Sequence, residues 1–322
     1  MNKILVTGAC GQIGSELTVA LRKRYGGENV VAVGRMTEPT IPELRETGPF
    51  HMFVDVTERS VLEMVVKKYN IDTIYHMAAI LSAAGEQHPQ LAWNVNMNGL
   101  YNVLEVARER DMVRLFCPSS IAVFGPETPQ HDTPQETVLL PKTMYGVTKV
   151  AGELLCNYHV QRFGLDVRGV RYPGIISSET PPGGGTTDYA VEIFYEAIKH
   201  QRYDCFLRED SVLPMMYMPD CIKGTIDLME ADFASLQHHA DFNLAAFSFS
   251  PAELVAEIQK HLPGFVCTYA PDFRQAIADS WPKTIDDSAA RAEWGWEPAY
   301  DLPAMVADML EKLGKKYEEG KI

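Results

Sequence analysis

Short β-branched runs along this chain alternate with longer stretches in which apolar residues return every third or fourth position. The runs are Lys3–Val6, Val30–Val33, Met52–Val56, Thr73–Met77, Arg114–Cys117 and Asp166–Tyr172, and each reads as a strand. Between the first two, Ile13, Leu17 and Leu21 recur at the spacing of one helix face, and Gly26-Gly27 ends the pattern. Strand and helix in this alternation predict an α/β fold, a doubly wound parallel sheet with helices on both faces.

After Tyr172 the texture changes. Residues 173–188 (PGIISSETPPGGGTTD) hold three Pro and four Gly in sixteen positions, which breaks helix and strand alike and predicts a long loop. Loops of that length inside a compact fold are usually functional. A helix is expected over 189–200 and a last one near 303–317. The chain thus divides into an α/β domain over 1–172 and a smaller mixed lobe over 173–322, with later segments expected to return to the first.

At 322 residues the chain can bury a core that needs no disulfide or metal staple. Its 43 acidic and 29 basic residues give a net charge of −14, which repels phosphate backbones and anionic lipid. Neither nucleic acid nor a membrane is expected as a partner, and no apolar run approaches a membrane span. The first strand begins almost at Met1, so no signal or transit segment is expected. The six cysteines form no CxxC pair and no Asn-x-Ser/Thr acceptor occurs, which reads as a reduced, cytoplasmic chain. No HExxH or His/Cys cluster has ligand spacing, so no metal is expected.

Candidate chemistry begins directly after the first strand, at Thr7-Gly8-Ala9-Cys10-Gly11-Gln12-Ile13-Gly14. Glycines there let backbone approach a pyrophosphate, and the following helix N-terminus offers unpaired N–H groups and partial positive charge. The GxxGxxG spacing between strand and helix predicts dinucleotide binding through Gly8, Gly11, Gln12, Ile13 and Gly14, and hence a Rossmann-type domain. Arg35 stands at the end of the second strand, where an acid would hold the ribose of NAD. It could grip the 2′-phosphate of NADP, stack on adenine, or lie solvated. Asp55 is placed to meet the adenine or to cap a helix starting near Glu58.

Tyr145 and Lys149 form a YxxxK, which a helix would place one turn apart on one face. Tyr195/Lys199 and Tyr317/Lys321 share the spacing, so position has to select. Only Tyr145 follows the fifth strand, whose end carries Pro118-Ser119-Ser120.

With these residues in order, the chain resembles the extended short-chain dehydrogenase/reductase superfamily, the group of the UDP-galactose 4-epimerases. The likeness rests on the glycine turn, His76-Met77-Ala78-Ala79, Asn94 to Gly99, Ser120 and the YxxxK. Within it, residues 119–126, 171–174 and 183–190 and Trp281-Pro282-Lys283 look like the L-threonine 3-dehydrogenases of this fold. The resemblance implies NAD as cofactor, with Val56, Met77, Ala78, Ala79, Asn96, Pro118, Tyr145, Lys149 and Tyr172 also holding it. It further implies that Ser82, Ser119, Ser120, Tyr145, Gly185, Thr186, Thr187 and Trp281 line a pocket for a small zwitterion.

The chemistry is consistent with that. A Tyr near its usual pKa of about 10 is a poor base at neutral pH, and lowering it three units needs about 4 kcal/mol of preference for phenolate. A lysine ammonium at about 4 Å and an effective dielectric of about 20 supplies that much. Tyr145 then acts as base, Lys149 tunes it, and Ser120 donates to the reacting oxygen. The expected reaction is NAD-dependent oxidation of L-threonine to L-2-amino-3-ketobutyrate; a nucleotide-sugar epimerase or dehydratase and a silent, cofactor-sensing protein are the alternatives. Val147, Val150, Leu154, Leu155 and Tyr158 spread apolar groups over more than one face of the Tyr145 helix, which predicts a homodimer.

Overall fold

The computed structural model describes residues 1–322, and six parallel strands form its centre. In chain order these are β1 (Ile4–Thr7), β2 (Val30–Val33), β3 (Phe50–His51), β4 (Thr73–His76), β5 (Arg114–Phe116) and, after the two-residue strand β6 (Ser119–Ser120), β7 (Val167–Arg168). Their order across the sheet is β3-β2-β1-β4-β5-β7, so β1 and β4 lie side by side where the chain reverses its direction of winding. Ligand crevices in open α/β sheets form at the carboxyl ends of strands at such a switch point.

Side-chain alternation along these strands feeds two layers. Leu5, Val31, Ile74 and Leu115 bury against α2 (Arg59–Tyr69), α3 (Leu100–Glu109) and α4 (Met144–Phe163) through Leu62, Val103, Leu104 and Cys156. Ile4, Val6, Tyr75 and Phe116 bury on the opposite face against Leu17 and Leu21 of α1 (Gln12–Tyr25). That second layer also takes in Leu228 and Met229 of α6 (Met218–Glu230) and Trp296. A third cluster lies in the later part of the chain, where α5 (Tyr189–His200), α7 (Pro251–His261) and α8 (Leu302–Glu318) surround Phe194, Tyr217, Ile258 and Met309.

Two strand expectations and one loop expectation change. Residues 52–56 are not a strand: Phe53 takes φ +63° and stands 75% exposed, turning the chain off the sheet edge after His51. The run 166–172 is two strands, β7 and β8 (Val170–Tyr172), divided at Gly169. A side chain there would bring its Cβ within 2.2 Å of Cys117 O, and the close approach lets β8 leave the main sheet to pair with β6. Finally, 173–188 is not loop throughout, because β9 (Gly174–Ile176) pairs in parallel with Met215–Tyr217 and buries Ile175 and Ile176. The helices expected over 189–200 and near 303–317 form as α5 and α8.

Candidate active site

The carboxyl ends of β1, β4 and β6, the start of α4 and the segment after β9 surround one cleft of about 230 Å³. Its floor is the glycine turn. Gly8 has φ +64°, and a Cβ on it would stand 2.6 Å from Ala78 N and from Met77 C. A Cβ on Gly14 would stand 2.3 Å from Gly8 O, so the turn closes only with hydrogen at both positions. Helix α1 starts at Gln12 with no side-chain cap and no acid in its first turn, which leaves its leading N–H groups available to an anion. A glycine cradle and an uncapped helix end fit a dinucleotide pyrophosphate.

The reactive groups come from β6 and α4. Thr143 caps α4 by accepting Gly146 N–H at 3.0 Å. A Cβ on Gly146 would stand 2.2 Å from Ala122 O, so α4 opens directly against the turn that follows Ser120. Tyr145 and Lys149 share the cleft-facing side of α4, with Lys149 Nζ 5.4 Å from the Tyr145 ring centre. Lys149 donates to Pro118 O at 2.7 Å, tying the helix to the end of β5. Ser120 Oγ accepts Ala122 N–H at 3.2 Å. His76, bonded through Nδ1 to Thr7 Oγ1 at 2.9 Å, is pushed down to about 3 by burial and by the Lys149 charge, so it stays neutral.

At the far end of the cleft lie Ser82, Gly185, Thr186, Thr187, Asp188 and Trp281. Thr186 is 1% exposed and its hydroxyl has no hydrogen-bond partner in the chain, so it is free to bond a ligand in the cleft. Within the triple glycine, the Asp188 carboxylate accepts the N–H groups of Gly184 and Gly185 at 2.7 Å each. Ser119 faces the cleft yet donates its hydroxyl to Glu153, and Tyr172, also at the wall, bonds Thr225.

Residues 4–245 match the model of the NAD dependent epimerase/dehydratase family. The chain belongs to that family. An uncharacterised epimerase/dehydratase of Staphylococcus haemolyticus is 50% identical over 317 residues, 98% of this chain and 99% of its own. The solved L-threonine dehydrogenase of Clostridium difficile is 53% identical with a TM-score of 0.95, covering 98% of both chains. The GalE-like L-threonine dehydrogenase of Cupriavidus necator, in its holo form, is 53% identical with a TM-score of 0.93, covering 97% of this chain and 99% of that one.

In this NAD dependent epimerase/dehydratase family enzyme the expected cofactor residues separate into three groups. Gly8, Gly11, Gln12, Ile13, Gly14, Met77, Ala79, Pro118, Tyr145, Lys149 and Tyr172 line the cleft together. Arg35 and Asp55 lie apart from it and pair with each other, Nε to Oδ2 at 2.9 Å. Asp55 also accepts the Thr57 N–H and hydroxyl, so its carboxylate organises the turn before α2. Val56 is buried against Gly99, while Ala78 and Asn96 border a small chamber behind Lys149. Asn96 braces the site: its side chain bonds Ile80 N–H and C=O and the Thr148 hydroxyl. Asp188, Leu81, Ile121 and Ile175 line the cleft without having been singled out in sequence. Ile121 and Asp188 fall inside segments 119–126 and 183–190, on which the family likeness rests, and Asp188 is also the last polar residue before an expected helix.

The other two YxxxK tyrosines lie outside the cleft, on α5 and near the C-terminus. All six cysteines are free, and no helix is long and apolar enough to cross a membrane.

Proposed function

We propose that the protein oxidises the β-hydroxyl of L-threonine to L-2-amino-3-ketobutyrate with NAD. The observation that carries this reading is one cleft in which Ser120, Tyr145 and Lys149 face a substrate end made of Thr186, Thr187 and Asp188. A 2-amino-3-hydroxy acid brings an ammonium, a carboxylate and a secondary alcohol. Asp188 is the only carboxylate lining the cleft, and it answers the ammonium. The unpartnered Thr186 hydroxyl, with Thr187 and Ser82, provides donors for the carboxylate. Trp281, 6% exposed, closes one wall. A UDP-sugar would need cations for its own diphosphate, and the sole lining cation, Lys149, stands beside Tyr145 at the reacting end of the cleft.

Tyr145 takes the hydroxyl proton as general base, with the Lys149 ammonium on the next turn beside it. Ser120 donates to the same oxygen as it becomes a carbonyl. NAD, when bound, supplies the acceptor for the hydride that leaves the β-carbon. The glycine turn and the α1 N-terminus would hold its pyrophosphate, and Lys149 would also serve its ribose.

NADH formation measured with L-threonine, L-serine and UDP-galactose tests the reading. Stoichiometric NADH with L-threonine is expected. Turnover of UDP-galactose without net NADH would replace the reading by an epimerase, and tight NAD binding without turnover of any substrate would replace it by a cofactor-sensing protein.

A further inference from the structure

Four residues after Lys149, on the same side of α4, Glu153 is 5% exposed. It accepts the Ser119 hydroxyl and both arms of the Arg171 guanidinium, Nε to Oε1 at 2.9 Å and Nη2 to Oε2 at 2.8 Å. Arg171 is equally buried and directs Nη1 to Gln135 O at 2.9 Å and to Asn243 Oδ1 at 3.1 Å. Asn243 donates onward from Nδ2 to Thr133 O and Asp286 O, 3.1 Å each. Residues 130–133 hold the segment after Trp281: Gln130 O accepts Lys283 N–H at 2.7 Å, and Thr133 O accepts Asp286 N–H at 3.0 Å.

An unbroken polar chain therefore runs through the interior from Ser119, next to Ser120, to the segment that carries Trp281. Buried ion pairs give little net stability, because desolvation offsets the attraction and apolar residues of equal volume often serve as well. What a forked Arg–carboxylate pair adds is direction, since two parallel bonds fix angle as well as distance. Ser119 and Glu153 border the chamber behind Lys149, but none of the hydrogen bonds of this chain reaches the glycine turn.

We propose that Glu153, Arg171 and Asn243 are positioning residues, which set Ser120 and Trp281 against each other across the cleft and so fix the substrate pose without contributing to cofactor binding. The proposal rests on the dehydrogenase reading for its substrate, and the test includes measurements that need no turnover.

The full-length protein is compared with Glu153→Gln and Asn243→Ala. Glu153→Gln lowers kcat for L-threonine about ten- to a hundredfold, the scale of a misplacement near 1 Å, while NADH affinity by protein fluorescence stays within about twofold. Asn243→Ala raises KM for L-threonine and speeds hydrogen exchange at Lys283, Thr284 and Asp286, with the amides of β1 and α1 unchanged. Arg171→Lys keeps the buried charge without the fork; it reproduces the kcat loss and stands in if Glu153→Gln fails to fold. Unchanged kcat in the folded variant, NADH binding lost in step with kcat, or unchanged exchange at 283–286 in Asn243→Ala each overturns the proposal. A wild-type protein that does not oxidise L-threonine refutes the substrate instead, and exchange and NADH binding then decide the network.

Discussion

Lys149 donates from Nζ to the carbonyl oxygen of Pro118 at 2.7 Å, and this bond fixes the reactive helix to the end of the fifth strand. The ammonium is held beside Tyr145 before any ligand arrives, so a phenolate there meets a charge already in place. Tyr145→Phe is expected to lower the oxidation rate by about 10² to 10⁴ while NADH binds within a few fold of wild type. Tyr195→Phe and Tyr317→Phe are expected to be nearly silent. Steady-state rates with L-threonine check all three, and near wild-type activity in Tyr145→Phe would remove Tyr145 as base.

Arg35 is held by Asp55, and the nearest other acid, Glu38, is itself paired with Arg45. An exposed ion pair is worth about 1 kcal/mol or less, whereas a charged contact to a 2′-phosphate is worth about 1.5 to 3 kcal/mol. That difference predicts measurable use of NADP, but the Asp55 and Glu38 carboxylates repel a 2′-phosphate, so NAD is expected to be preferred. Asp55→Asn frees Arg35 and is expected to raise the NADP to NAD ratio of kcat/KM severalfold; adenine is common to both cofactors, so any loss there cancels. A wild-type kcat/KM higher with NADP than with NAD would make Arg35 a phosphate clamp.

The segment from Gly183 to Asp188 is drawn together by the Asp188 carboxylate. Thr186→Ala and Thr187→Ala are each expected to lower kcat/KM for L-threonine about ten- to a hundredfold with NAD binding unchanged, the loss of one hydrogen bond to a charged group. Asp188→Asn keeps an acceptor for the glycine N–H groups but removes the charge, and is expected to raise KM for L-threonine most. Kinetics paired with melting temperatures separate this from a capping role, which would lower stability and disturb both ligands.

Glu16, one turn into α1, accepts the Ser177 hydroxyl and is raised to about 7, mainly by burial and further by Glu179, with Ser177, Lys316 and Lys312 opposing. An acid raised in the folded state holds a proton that the unfolded chain releases near its ordinary value of 4.5. Its contribution to stability is therefore full below about pH 4.5 and is lost as pH rises to about 7, by up to about 3 kcal/mol. Glu16→Gln is expected to melt higher than wild type at pH 8 and to lose that advantage at pH 5. Equal shifts at both pH values would exclude Glu16 titration as the cause.

On α4, Val147, Leu154 and Tyr158 stand exposed along one side, Leu154 by 67%, while Val150 packs into the later cluster and Leu155 onto the sheet. An apolar stripe of this kind suits a second copy of the chain. Light scattering at micromolar protein is expected to give twice the mass of one 36.0 kDa chain, and Leu154→Arg is expected to give single chains. A wild-type mass of one chain would refute the dimer.

Much of this protein was determined by local pattern. The strand and helix alternation, the glycine turn and the Tyr145/Lys149 spacing each depend on neighbours within about one element, and they form where the sequence places them. Departures came where a distant segment set the outcome. Residues 166–172 had the composition of one strand but divide at Gly169, because Cys117 O approaches that position from another part of the chain. Arg35 had three open partners in sequence, and the fold supplied a fourth, Asp55, twenty positions away. Residues 173–188 read as a loop, and it is the Asp188 carboxylate turning back onto Gly184 and Gly185 that gives its end a fixed shape. Glu153 carried no signal at all, since the value of a buried carboxylate depends on Ser119 and Arg171, which only the packing of α4 on β6 and β8 brings within reach. Sequence determines backbone preferences and apolar periodicity, which are short-range. Which polar groups share a desolvated interior is a matter of long-range contact, and the tertiary structure alone decided it.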